Sequence, residues 1–208
     1  MKHTASARKG FTLIELLVVI TIIGVLASLG IASYGPIRTE VRKMKSKDNL
    51  RSLYVLLQLY AQNYRTFPTT QPPERRYEQS GGVRDLYPLY TTGIMKTEQL
   101  ELLKAPGAAL VPFSADPTIE EFDKNHIGYA YNSTAIPDAA DSPPIISEQG
   151  VSSGSINEQT QDRGTKPVFS GGANVLFTSG KISWIPADRR GKLSTAEISA
   201  EEWGLLQD

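Results

Sequence analysis

The feature that most constrains this chain is an apolar run from Phe11 to Tyr34, "FTLIELLVVITIIGVLASLGIASY", whose one charged residue is Glu15. Twenty-four residues wound as a helix cover roughly 36 Å, enough to cross a hydrocarbon core of about 30 Å. The leader before it, "MKHTASARKG", carries Lys2, Arg8 and Lys9 and no acid. A basic leader and an apolar run have the general form of an export signal. No small-x-small cleavage site with a polar flank closes this run, however, so it is expected to stay in place as a transmembrane segment. A carboxylate inside such a segment is expensive and marks a candidate functional residue.

Charge alone leaves the orientation unsettled. Three basic residues precede the span and six lie between Arg38 and Arg51, so the positive-inside rule taken literally puts the C-terminal side in the cytoplasm. The zero formal net charge hides an asymmetry, +5 over residues 35–66 against −7 over residues 67–208. Such a pair of surfaces can attract between molecules, or be two solvated faces of little energetic weight. The absence of cysteine excludes disulfides, thiol catalysis and cysteine-ligated zinc. It leaves the compartment open.

The heptapeptide "KGFTLIE" at Lys9–Glu15 resembles the class III signal of type IV prepilins and type II secretion pseudopilins. The resemblance implies that a membrane-embedded prepilin peptidase cuts after Gly10 and methylates the new amino terminus at Phe11. It also implies a single-pass protein of the inner (cytoplasmic) membrane, its head outside the cytoplasm, later drawn into a periplasmic or surface filament. The implied partners are copies of itself, other pilins and pseudopilins, the inner-membrane assembly platform and membrane lipid. In that family the glutamate matching Glu15 is thought to meet the terminal amine of a neighbouring subunit, setting register during assembly. Pairing with its own amine, or snorkelling to the interface, stands beside that reading. Gly24, Ser28 and Ala32 recur at four-residue spacing, which suits close helix packing in a membrane or filament core.

Helix is expected to continue past the span. Gly35-Pro36 removes one helical hydrogen bond, so a kink or local opening is expected there. Many pilins carry the proline four residues earlier, where Ala32 stands. Leu50, Leu53, Tyr54, Leu57, Tyr60, Ala61 and Tyr64 then form a one-sided apolar stripe, read as core. Phe67-Pro68 stops the helix. The expected organisation is a leader at 1–10, a membrane or filament-core helix at 11–34, an amphipathic stalk at 35–66 and a head at 67–208. Tyr60–Thr69 also resembles the stalk-to-head junction of the major pseudopilins.

In the head, turn-rich stretches separate short apolar pieces. Thr97–Leu103 reads as a short helix, Ile127–Asn132 as a strand, and residues 194–206 as a helix opened by Ser194 and Glu197 in a capping-box pattern. "NVLFTSGKISWI" reads as a β-hairpin with a two-residue Ser179-Gly180 turn, pairing Phe177 with Ile182 and Val175 with Trp184. The expected fold class is α+β and pilin-like, a long N-terminal helix packed on a small antiparallel sheet. Similar proteins often have Phe-x-Asp-Gly before the last strand; Ser179 replaces that aspartate here.

Little of the sequence suggests chemistry. The histidines are His3 and His126, and no elbow-type serine accompanies His126. Asp116, Glu120, Glu121 and Asp123 lie close in sequence, but their spacing fits no calcium-loop pattern and reads as a solvated acidic turn. Asn132-Ser133-Thr134 matches a glycosylation sequon by pattern alone. No catalytic residue, metal or cofactor is expected, and the basic stalk lacks the interleaved aromatics of a nucleic-acid site. The reading is a structural filament subunit of a type II secretion pseudopilus or a type IV pilus. A membrane-anchored envelope protein that never polymerises, its head binding a ligand or partner, is the alternative.

Overall fold

The computed structural model describes residues 11–72, 74, 82–148, 151–152, 155–156 and 171–187. The chain divides into two units, Met1–Val41 and Arg42–Asp208. Helix α1 covers Leu13–Tyr64, and helical backbone continues through Gly35-Pro36 without a break in assignment. It ends where Arg65 takes a left-handed φ of 61°, its N–H donating to the Ala61 carbonyl at 2.8 Å. Such a residue just past the last turn is an ordinary helix stop.

In the second unit the helix buries Ser46, Asn49, Leu50, Leu53, Leu56, Leu57 and Ala61, a stripe at helical spacing. Tyr54 and Tyr60 pack at its margin, whereas Tyr64 is half exposed and stacks on Tyr60 with ring centroids 4.4 Å apart. The segment after the helix is tied down by buried Asp85, from the 3₁₀ helix Gly82–Leu86. Its carboxylate accepts from the Thr70 N–H at 2.8 Å and the Thr69 hydroxyl at 3.2 Å, and also from the Thr70 hydroxyl. Helix α2, Tyr87–Thr91, follows directly. Thr97–Leu103 is helical over the expected residues, but as a 3₁₀ helix.

The sheet comprises β1 (Tyr129–Tyr131), β2 (Pro144–Glu148), β5 (Gly172–Phe177) and β6 (Ile182–Pro186), in the order β1-β2-β5-β6 with every neighbouring pair antiparallel. Two short strands, β3 (Val151–Ser152) and β4 (Ser155–Ile156), pair separately. Alternation along the strands sends Tyr129, Tyr131, Ile146 and Leu176 into the core shared with the helix. Ala130, Ala173, Val175, Phe177 and Ile185 form a second, smaller cluster. A long helix with a small antiparallel sheet is the expected α+β, pilin-like class.

The hairpin is present, but its register is one residue from the expected one. Leu176 pairs with Ile182 and Asn174 with Trp184. The turn is three residues, Thr178 to Gly180, closed by Phe177 N–H to Lys181 O at 3.0 Å and Gly180 N–H to Phe177 O at 2.9 Å. Gly180, at φ +81°, supplies the left-handed residue that a three-residue hairpin loop needs. A one-residue slip exchanges faces. Val175 and Phe177 therefore lie away from the helix, and Ile182 packs against the helix-side core. The expected C-terminal helix at 194–206 lies outside the described residues.

Candidate functional site

The N-terminal part of α1 carries most of the candidate residues. Thr12-Leu13-Ile14-Glu15 closes a capping box, the Thr12 hydroxyl accepting from the Glu15 N–H at 3.3 Å. In return Glu15 Oε2 accepts from the Thr12 N–H at 2.9 Å and from its hydroxyl at 2.7 Å. Thr12 is thus the N-cap and Glu15 the third helical residue, an arrangement that satisfies two orphan donors. It also places a carboxylate where the helix dipole favours it. The second oxygen of Glu15 has no partner among the described residues. The T-x-x-E signature was available in the sequence, hidden behind the question of a carboxylate in an apolar run.

Gly10 lies outside the described residues, and Phe11 is 80% exposed. Every large apolar side chain from Leu13 to Leu26 is between 46 and 82% exposed. An α-helix apolar on all sides belongs among other helices or in lipid. Gly24 is open, with nothing within 4 Å of where a Cβ would stand. Ser28, one turn on, donates its hydroxyl to the Val25 carbonyl at 2.7 Å, as Thr21 does to Val18 at 2.8 Å. Folding those hydroxyls back leaves a small-residue surface without orphan polar groups. Ala32 is within α1, but its side chain is outside the described set. Among the described residues no helix is long and apolar enough to cross a membrane; the described side chains of the apolar run stop at Ser28.

The acidic segment of the head is dispersed rather than convergent. Asp116 accepts from the Tyr90 hydroxyl at 3.0 Å. Glu121 accepts from the Ser114 N–H and hydroxyl at 2.8 and 2.7 Å, bonds that hold its carboxyl below the usual range. Asp123 is 2.7 Å from His126 Nδ1, and the imidazole lies beside the Phe113 ring. No cluster of three or more potential metal ligands occurs among the described residues. The Ser114 hydroxyl is committed to Glu121. Asn132 is buried. Its amide donates to the Pro144 carbonyl at 3.2 Å and its Oδ1 accepts from the Thr134 N–H and hydroxyl, so the sequon serves as a turn.

Sequence reasoning missed one constellation entirely. Glu148, 2% exposed, faces α1 from β2. Its Oε1 accepts from the Ser46 hydroxyl at 2.5 Å and the Asn174 amide at 2.8 Å, and its Oε2 from the Asn174 N–H at 2.6 Å. Asn174 also donates to the Lys43 carbonyl at 3.3 Å. Ser46 is 3.3 Å from the Tyr129 hydroxyl, and the Lys43 ammonium lies 4.2 Å from the Trp184 ring centroid. Burial pushes the Glu148 carboxyl up to about 7 against the pull of its hydrogen bonds and of Lys43. Burial likewise raises the Tyr129 phenol well above its ordinary value.

Comparison with known proteins bears on the same N-terminal segment. The prokaryotic N-terminal methylation motif matches residues 5–31. The chain is 35% identical to the type II secretion system core protein G of Dickeya chrysanthemi, across 38% of this chain and 60% of that one. It is 32% identical to the protein of the same name from Klebsiella michiganensis, across 38% and 66%. Against the type IV major pilin protein PilA of Myxococcus xanthus it is 41% identical, across 22% and 21%. The matches thus span about two thirds or less of the relatives' own length. No solved structure matches.

Proposed function

We propose that the chain is a member of the pilin and pseudopilin family, as its N-terminal methylation motif and its similarity to core protein G and to PilA support, and a structural filament subunit, cut after Gly10 by a prepilin peptidase and methylated at Phe11. The observation that carries this reading is the exposed, predominantly apolar start of α1 headed by the Thr12–Glu15 box. That surface needs lipid before assembly and neighbouring helices after it. In sequence the run extends to Tyr34, long enough for a single pass through the inner membrane, with the head outside the cytoplasm.

Glu15 is assigned the register contact. One of its oxygens caps its own helix and the other is left for the terminal amine at Phe11 of the next copy. In a low-dielectric core such a charge pair outweighs its counterpart in water. Gly24, Ser28 and Ala32 form the close-packing face. Assembly then brings in copies of this chain, related pilins, the peptidase and the inner-membrane platform. The match to core protein G covers more of this chain than the match to the pilin, which favours a type II secretion pseudopilus over a type IV pilus. Filament yield from cells expressing Glu15→Ala tests the assembly reading. Lost filaments with intact membrane insertion are expected; a normal yield removes Glu15 from assembly and favours the non-polymerising anchor.

A further inference from the structure

Glu148 has no part in the assembly just described, yet it sits at the join of the helix and three strands. Tyr129 on β1 is its registered partner, and Asn174 on β5 binds it through backbone and side chain. Ser46 reaches it from α1. Among the described residues, the charged and titratable groups facing it are Tyr129 from β1 and Lys43 from α1, with Asn49 completing the helix side through the Tyr129 phenol. From β6 comes Trp184, which does not titrate, under the Lys43 ammonium.

This cage accepts both protonation states. Ionised, the carboxylate takes three donors, from Ser46 and twice from Asn174. Neutral, its O–H donates to the Ser46 oxygen, and the Ser46 hydroxyl turns toward Tyr129, 3.3 Å away. Serine hydroxyls rotate to suit either role. The two states differ chiefly in a buried negative charge whose named counter-ion, Lys43, is engaged with an indole face. Burying a charge with an incomplete partner is costly, whereas burying its neutral, hydrogen-bonded form is not.

We infer that Glu148 is a proton-operated latch between α1 and the sheet, closed when neutral and loosened when ionised. The folded state holds the proton more tightly than the unfolded chain does. The stabilisation is therefore complete below about 4.5 and is lost as the pH rises through about 7. Nothing in this depends on filament assembly, so the two readings fail separately.

The test is urea unfolding of the full chain in detergent micelles, wild type against Glu148→Gln, between about pH 5 and about pH 8. The wild-type folded-to-unfolded ratio should fall roughly seventyfold more than the variant's over that range. Hydrogen exchange should localise the loss to residues 43–50, 129–131 and 172–174. Parallel pH profiles, or a wild-type ratio that rises relative to the variant, would overturn the latch. Should Glu148→Gln fail to fold, carboxyl NMR of the folded wild type decides. Titration near 7 supports the latch, and titration near 4.5 refutes it.

Discussion

Replacing Gly180 by alanine tests how the hairpin meets the helix. An alanine there must hold φ +81°, which costs an L-residue about 1 kcal/mol. Its Cβ would also stand 2.7 Å from Tyr54 Cε1 and 2.8 Å from Cζ, well inside van der Waals contact. The ring must move, losing the bond from the Tyr54 hydroxyl to the Thr178 carbonyl at 3.2 Å, about 1 kcal/mol. Repacking of the ring adds about 1 kcal/mol more. The total, about 3 kcal/mol, corresponds to a fall in Tm of roughly 6–12 °C for a unit of this size. Thermal melts of the full chain in micelles, followed by circular dichroism, read it directly. In a Tyr54→Ala background the same substitution should cost only the conformational part, about 1 kcal/mol, leaving a coupling of about 2 kcal/mol. An effect within about 0.5 kcal/mol of zero, or the same cost in both backgrounds, would refute the three-residue turn and its seat on Tyr54.

Glutamine at position 15 separates the two roles assigned to Glu15, because it keeps the capping pattern and removes the charge. Glu15→Gln should retain the helix start, read by hydrogen exchange at residues 12–16, and still lose filament yield; normal filaments would reduce Glu15 to a cap. Asp85→Ala removes the acceptor for the Thr70 N–H and the Thr69 and Thr70 hydroxyls, a loss of about 2–3 kcal/mol. Limited proteolysis should then cut first between Phe67 and Gln71, and an unchanged digestion pattern would show that the junction is held elsewhere.

The parts legible in the sequence are those governed by local pattern. The stripe through Leu50, Leu53, Leu57 and Ala61 obeys the helical period, and all four are buried. Thr97–Leu103 and the strand at Tyr129–Tyr131 stand at the expected places. The misses arise where tertiary structure decides. "PIISE" at Pro144–Glu148 carries no clear strand signal, because prolines and polar residues flank it, yet it is an interior strand with Pro144 at its first position, where proline is tolerated. The hairpin slipped by one residue because either turn length closes on Gly180, and only the packing of Tyr54 and Leu176 selects between them. Ser46, Asn49 and Glu148 give no local sign of burial, since polar residues usually stay at the surface; Ser46 and Glu148 depend on partners more than eighty positions away, and Asn49 on the Lys104 carbonyl. At the N-terminus both the motif and the T-x-x-E capping signature are local patterns, while only the geometry shows that the cap occupies one of the two Glu15 oxygens.

The central claim is that the chain is a processed filament subunit, and the mass of the N-terminal peptide from isolated envelopes tests it most directly. The account predicts a peptide beginning at N-methylated Phe11. A peptide still carrying Met1–Gly10, recovered from cells with an active prepilin peptidase, would contradict it.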